Sequence, residues 1–525
     1  MKYIEEVHIE GLKKFREIDV VFNPHMNIIV GENEAGKTTI LEAIKIALNQ
    51  MYKNADKSIL KELFNIEMVE NFKAKPEMKT LPYILIELKL CMDPKDKNAE
   101  YFYGENNIRS QAAYGIKFEC GFDEELGSGL DAEIKSGKIP YEYYYMRWTA
   151  FSGLPYVTVK RPLESIVIDT SENDAMSSFN FFNRSLFNAR YSDAEKLTAK
   201  NMFRDNINDA FDRLALPDID TNRRFGINEK KVVFETILSV YEDNIPLENK
   251  GSGMESLIKT QIALDKKKSK IDVILLEEPE NHLCYVNLHK MLFEISNKEK
   301  DSQMIVTTHN NLIASRLNLK NVIWITKSYA MSLANVDVGV ADFFVKADGN
   351  AFLQMLLAEK IIFVEGATEY LLMPYIYERI TGRTLEKDKV SVISCNGISY
   401  KHYLKIAQGT EKKIVVITDN DKNQKNIDRM IEENKSNQWY NIFMDTDVKN
   451  WTWEVCLYNL NKSLLDEKIK LQEGAEYLVH GQDCGSKVLG KMLNNKVEMA
   501  YLLLKNKVEF EIPQYVKDAI EWLNK

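Results

Sequence analysis

Gly31, Gly36, Lys37 and Thr38 stand at the spacing of a phosphate-binding loop, in the run Gly31-Glu32-Asn33-Glu34-Ala35-Gly36-Lys37-Thr38. Glycines lack a Cβ, so backbone N–H groups there can wrap an anion. A helix opening after the loop would aim its positive end at the same phosphate. Lys37 is expected to reach the β- and γ-phosphates of ATP and Thr38 to hold Mg²⁺ through its hydroxyl, with Asn33 and Thr39 completing the nucleotide contacts. The apolar run Val273–Leu276 delivers Glu277-Glu278. Glu277 is expected to support Mg²⁺ and Glu278 to activate the attacking water. After a second apolar run, Met304–Thr307, comes Thr308-His309-Asn310, where His309 can sense the γ-phosphate.

A second acidic set lies towards the C-terminal end. Glu365 follows the apolar run Ile361–Val364, and Glu369 comes one helical turn later on the same face. Asp419 and Asp421 follow Lys413–Thr418, with Asn420 between them. Oxygen ligands of this kind suit Mg²⁺ or Mn²⁺ rather than zinc. Two such ions can activate a water and stabilise the leaving oxygen of a phosphodiester. One acidic pair alone is more often a solvated turn; the ordered set at strand ends favours metal chemistry.

The elements that must position these groups divide the chain. Residues 1–164 read as the first part of an α/β ATPase: strands Val7–Ile9, Ile18–Phe22 and Met26–Val30, then a helix carrying Ile40, Leu41, Ile44, Ile46 and Ala47 at helical spacing. Tyr83–Leu90 reads as a further strand, and the stretch around Gly121 and Gly127–Gly129 as turn-rich. Residues 165–240 turn polar and helical, with Phe179, Phe181, Phe182 and Phe187, and are expected to be an insertion that serves dimerisation. Residues 241–345 return to the α/β pattern. Residues 346–525 read as strand, helix, strand, helix, strand, followed by a helical tail.

Composition excludes several classes. At 525 residues, 45% hydrophobic and 28% charged, the chain is an ordinary globular protein of two or three domains. It lacks an apolar stretch of about 18 residues and a signal-peptide core, so no membrane partner is expected. The 6 cysteines are scattered without a Cys-x-x-Cys pair, which argues against a zinc site or a disulfide framework and for a reducing cytoplasm. A net charge of -9 leaves any nucleic acid to be held by local patches and metals.

Lys250-Gly251-Ser252-Gly253-Met254-Glu255 opens a helix, and with the motifs above the sequence resembles ABC-type ATPases of the SMC and RecF kind. The resemblance implies that Ser252 and Gly253 cap the γ-phosphate held by a second copy. The Glu, then Asp-x-Asp order of the third unit, with the Cys395-Asn396-Gly397 turn between them, is similar to a TOPRIM domain. Together the two halves resemble the OLD (overcoming lysogenization defect) nucleases over nearly the whole chain apart from residues 100–240. The implied fold is α/β: an ABC-type P-loop ATPase with a helical insertion, followed by a C-terminal TOPRIM, Rossmann-like domain. Two further segments fit that family. Asn450-Trp451-Thr452-Trp453-Glu454 makes Glu454 an additional metal ligand, and Asn495-Lys496-Val497-Glu498 supplies Lys496 to neutralise phosphate charge. One departure is Cys284-Tyr285, where the family usually shows His-Pro, so His282 receives no role.

The expectation is an ATPase and ATP-regulated endodeoxyribonuclease, with ATP and two Mg²⁺ or Mn²⁺ ions per nuclease site, acting on DNA as a homodimer or higher homo-oligomer. Related proteins, among them the Gabija nuclease subunit, act alone or with a helicase-like partner in phage defence. The competing expectation is a non-catalytic, RecF/SMC-like DNA-binding ATPase whose TOPRIM domain makes protein contacts. A topoisomerase or primase is disfavoured, since no zinc module is spelled out.

Overall fold

The computed structural model describes residues 1–31, 34–127, 129–157, 160–169, 175–214, 216–217, 219–220, 223–228, 234–264, 271–281, 283–298, 302–310, 313, 319–326, 329–333, 354–355, 358–395, 400–407, 412–437, 439–471, 477–478 and 485–525. It divides into two units, Met1–Asp337 and Val338–Lys525. The expected join at 345/346 lies outside the described residues.

In the first unit, strands β1 (Tyr3–Leu12), β2 (Phe15–Val21), β4 (Ile84–Cys91), β5 (Tyr103–Gly104), β6 (Ala113–Phe122) and β7 (Tyr144–Ala150) form an antiparallel sheet in which β1 lies between β2 and β4. β2 alternates buried and exposed positions, the period of a strand with one face in the core. Gly121 therefore lies within a strand rather than in turn-rich chain. β6 keeps its place because it hydrogen-bonds along its length to β4 on one side and β7 on the other.

The second sheet runs β14-β13-β3-β12-β11-β8, with β3 Met26–Val30, β8 Ser165–Asp169, β11 Val273–Glu277, β12 Gln303–Thr307, β13 Val322–Ile325 and β14 Ala330–Ser332. All its pairs are parallel except β13 with β14. Every residue of β3, β11 and β12 is buried, as continuous apolar runs in a covered parallel sheet require. The expected insertion thus starts later than 165, because Ser165–Asp169 pairs in register with β11. The Ser-Ile-Val-Ile-Asp run is β-branched enough to be a buried strand, a signal masked by the polar chain after it. That chain is helical: α2 (Ala175–Arg190) and α3 (Asp193–Asp212) follow, the latter after helix α1 (Lys37–Asn49) in chain order. The hairpin β9 (Tyr241–Glu242) and β10 (Ile245–Pro246) leads to α4 (Ser252–Leu264), and α5 (Tyr285–Lys298) lies between β11 and β12.

The second unit has a parallel sheet in the order β16-β15-β17-β18, with β15 Lys360–Val364, β16 Val390–Ser394, β17 Lys413–Ile417 and β18 Tyr440–Phe443. Helices α6 (Ala367–Thr381), α7 (Tyr400–Ala407), α8 (Gln424–Ser436), α9 (Trp453–Leu460), α10 (Lys496–Lys505) and α11 (Gln514–Asn524) accompany it. Its core joins Ile362, Leu372, Val415, Trp453 and Phe510. The expected strand and helix order of this unit appears element by element. Among the described residues no helix is long and apolar enough to cross a membrane.

Candidate functional sites

The first site forms where three neighbouring parallel strands end. β3 lies between β13 and β12, so its loop opens at the middle of the sheet, where parallel α/β folds bind ligands. Gly36 has φ +100°, and a Cβ there would lie 2.3 Å from the Phe15 ring, so only glycine fits the bend. Helix α1 begins at Lys37 with no side-chain cap hydrogen bond, and a helix N-terminus favours an anion. Lys37 is buried, and its Nζ donates to the Gly31 carbonyl at 2.8 Å. Burial lowers its pKa, against the nearby charges of Glu278 and Glu280.

A cavity of about 190 Å³ joins Gly36, Lys37, Thr38 and Thr39 to Glu278. The structure thus brings the loop and the candidate base together across one space. Glu277 is buried at the end of β11, with Lys45 Nζ 3.7 Å from its carboxylate. Glu278 has φ +43°, a conformation that costs a non-glycine residue roughly 1–3 kcal/mol and clusters at active sites. Its carboxylate accepts from Asn281 Nδ2 at 3.0 Å and lies 3.1 Å from His309 Nδ1. Ser252 and Gly253 begin α4. Asn33 and His282 lie outside the described residues.

Sequence reasoning missed Glu280. Its Oε1 accepts the Thr308 hydroxyl at 2.6 Å and the His309 N–H at 3.2 Å, while its Oε2 is buried with no hydrogen-bond partner among the described residues. It therefore clamps the histidine segment onto the end of β11. The third acid of Glu277-Glu278-Pro279-Glu280 was the available signal.

The second site is built on the central strands of the C-terminal sheet. β15 and β17 pair in parallel with Val364 opposite Ile417, so Glu365 and Thr418 leave the sheet side by side. Glu365 Oε2 accepts the Thr418 hydroxyl at 2.7 Å and the Asp419 N–H at 3.0 Å. Glu369 is buried in the first turn of α6, and burial followed by the charges of Glu454 and Glu365 raises its pKa to about 7. Burial and the charges of Glu365 and Glu369 likewise push Asp419 up to about 8. Asp421 is exposed at φ +53°, raised by burial and then by Glu365. Glu454, buried on α9, accepts from Thr368 at 3.2 Å, Thr452 at 2.8 Å and Lys496 Nζ at 2.9 Å. Burial would lower the Lys496 pKa, but the Glu454 carboxylate outweighs it and raises it.

The charges of Glu365 and Glu454 thus bear on the protonation of Glu369 and Asp419, and that of Glu365 on Asp421 at the edge. Among the described residues no three acidic, His or Cys side chains are drawn together tightly enough to close on one metal ion. Several oxygens are instead turned into protein hydrogen bonds. The donor set is nevertheless all oxygen, the chemistry of Mg²⁺ or Mn²⁺. Crowded carboxylates with raised pKa values are what a cation would relieve.

Asn420 is the second residue that sequence reasoning passed over. It is buried, and its Nδ2 faces the carbonyls of Asp445, Asp447 and Asn450 at 2.9, 3.0 and 3.1 Å. The Asp421 N–H donates to the Trp451 carbonyl at 3.2 Å, and the Trp453 N–H to Asp419 Oδ1 at 2.9 Å. These bonds brace the Asp-Asn-Asp turn against the loop that presents Glu454. Asn396 and Gly397 lie outside the described residues.

Residues 356–421 match the overcoming lysogenization defect protein-like TOPRIM domain, and residues 6–303 match an AAA domain. The chain is 30% identical over 99 residues to the DNA replication and repair protein RecF of Lactobacillus johnsonii, covering 18% of this chain and 25% of that protein. It is 38% identical over 60 residues to RecF of Halalkalibacterium halodurans, 11% of this chain and 16% of that one. With structural maintenance of chromosomes protein 3 of Saccharomyces cerevisiae it shares 39% over 54 residues, 10% of this chain and 4% of that one. The matches therefore span a quarter or less of these curated relatives. Solved structures that align include an SmcHead bound to the C-winged helix domain of ScpA, at 15% identity and TM-score 0.35 over 64% of this chain and 100% of that chain. The RecF recombination mediator aligns at 12% identity and TM-score 0.31, over 63% and 98% respectively.

Proposed function

We propose that this chain, which belongs to the AAA-domain ATPases and carries an overcoming-lysogenization-defect-like TOPRIM domain, is an ATP-regulated, divalent-metal-dependent DNA endonuclease. The observation that carries the reading is the gathering of Glu365 and Asp419, after two neighbouring strands, with Glu369 and Glu454 from two helices, against their mutual repulsion. A domain used only for protein contacts gains nothing from that arrangement. DNA as the substrate is supported by the relatives named for DNA replication and repair. Phage defence or DNA processing is the setting this activity suits.

In the first unit, Lys37 would trade its bond to Gly31 for bonds to phosphate, and Thr38 and Glu277 would hold Mg²⁺. Glu278, oriented by Asn281 and His309, accepts the proton of the attacking water. Ser252 and Gly253 complete the site of a second copy, which makes the active form a homodimer or larger. In the second unit, Glu365, Glu369, Asp419, Asp421 and Glu454 would hold the divalent ions. Such ions supply a nucleophile at neutral pH and offset charge on the attacking and leaving oxygens. Thr418, Thr368 and Thr452 orient the carboxylates through their hydroxyls. Lys496, held by Glu454, offers its ammonium to the charge that develops on the phosphate.

The test is incubation of supercoiled plasmid with purified protein and Mg²⁺ or Mn²⁺, with and without ATP. Metal-dependent nicking or linearisation that disappears in Glu365→Ala/Asp419→Ala is the expected result. Intact plasmid under every condition would reject the endonuclease.

A further inference from the structure

Beside the acidic set the C-terminal unit holds a cleft of about 180 Å³, most of whose lining the roles above leave unused. Asp419 and Asp421 form one wall, so the cleft opens directly onto the proposed site of phosphodiester chemistry. Its lining is of two kinds. Tyr400, at the start of α7, stands with Met430, Ile442 and Met444, an aromatic ring beside buried apolar side chains. Lys401 and Arg429, from α7 and α8, also line it and are exposed to solvent. Glu433 contributes a carboxylate one turn beyond Arg429.

Size and chemistry both restrict the occupant. A cavity of roughly 150 Å³ accepts a benzene ring, so this one admits a single planar base but not a folded peptide segment. Aromatic and apolar surface suits the face of a base regardless of its identity. Lysine and arginine suit a phosphate, by point charge and by planar fork. Glu433 disfavours a second phosphate in the same space.

We propose that this cleft seats one nucleotide of the DNA strand next to the scissile phosphate, with its base against Tyr400 and Met430 and its phosphate between Lys401 and Arg429. The seat rests on the endonuclease reading and deepens it: it fixes the strand relative to the acids without reading sequence, because neither the ring nor the cations distinguish bases.

The experiment measures binding of a fluorescent single-stranded oligonucleotide to the full chain in EDTA across a salt series, together with plasmid cleavage in Mn²⁺. Lys401→Ala/Arg429→Gln should weaken binding and flatten the slope of log affinity against log salt by about 0.7, the share of one phosphate on a single strand. Met430→Trp, which fills the cleft, should weaken binding about tenfold with the slope unchanged, the loss of one stacked base. Arg429→Gln alone, at an exposed position, repeats the charge arm if Met430→Trp fails to fold. Wild-type affinity and slope in the charge variants would overturn the seat. Displacement of the oligonucleotide by millimolar deoxythymidine 5′-monophosphate would overturn it too, since the ligand would then be a free nucleotide. Intact plasmid with wild-type protein would instead reject the nuclease reading, whatever the binding arms show.

Discussion

The two sites solve opposite electrostatic problems. In the N-terminal unit one buried lysine donates to a carbonyl of its own loop, at the start of a helix that has no side-chain cap hydrogen bond. In the C-terminal unit carboxylates crowd one another, and two of them are pushed up to about 7 and about 8. The first site is arranged for a multiply charged anion; the second is arranged for cations. Neighbouring glutamates behave differently for that reason. Glu277 and Glu278 point to separate partners, a lysine and an Asn–His pair, whereas Glu365 and Glu369 share one space with Asp419.

Breaking one site should leave the other intact, and the largest effect comes first. Asp419→Ala should reduce plasmid cleavage to the uncatalysed background while ATP binding, followed with a fluorescent nucleotide, stays at the wild-type level. Loss of both would mean that the two sites are not separable. Glu278→Gln should reduce ATP turnover by on the order of 10²–10⁴, the usual contribution of a general base, with nucleotide affinity retained. An unchanged steady-state rate would remove Glu278 from that role.

Asn420→Ala leaves carbonyls of Asp445, Asp447 and Asn450 without their donor. At roughly 1–3 kcal/mol for a buried group left unmatched, about 3 kcal/mol of stability should be lost in denaturant titration. A loss under about 0.5 kcal/mol, the size of an ordinary surface change, would show that the turn is not braced there. Glu280→Ala should lower ATP turnover about tenfold without changing the KM for ATP. Glu280→Ala/His309→Ala should be no slower than His309→Ala, since residues that act as a unit are non-additive. Additive losses would give Glu280 a role apart from the histidine.

The smallest effect is a pH slope. Glu369 and Asp419 hold protons in the folded protein that the unfolded chain releases near pH 4. Their raised values therefore favour the folded state at low pH, and that contribution is lost as pH rises towards 8. In EDTA the melting temperature assigned to the C-terminal unit should fall between pH 5 and 8.5, and Glu369→Gln should flatten the fall. A flat profile in the unmodified protein would contradict the crowding.

Much of this was readable from residue order. Parallel strands buried on both faces spell continuous apolar runs, so Val273–Leu276, Ile361–Val364 and Lys413–Thr418 announced themselves together with the acids at their ends. Register was not readable. Nothing local says that Val364 faces Ile417 and therefore that Thr418 donates to Glu365. Ser165–Asp169 was hidden because its five residues abut a long polar helical stretch, and its partner β11 is more than 100 positions away. Asn420 and Glu280 were overlooked for another reason: Asn420 works through carbonyls of a distant loop and Glu280 partly through the His309 N–H, and backbone groups leave no trace in a sequence.

The resting contact of Lys37 with Gly31 has a thermodynamic consequence. Its ammonium already donates to an internal carbonyl, so under the proposed role nucleotide association would be an exchange reaction rather than a simple capture. The lysine's share of the heat released on binding would then be a difference between bonds made by the same nitrogen. A Lys37→Met protein, which has no such bond to break, forfeits both halves of that exchange, and its calorimetric signal would isolate what the backbone N–H groups contribute by themselves.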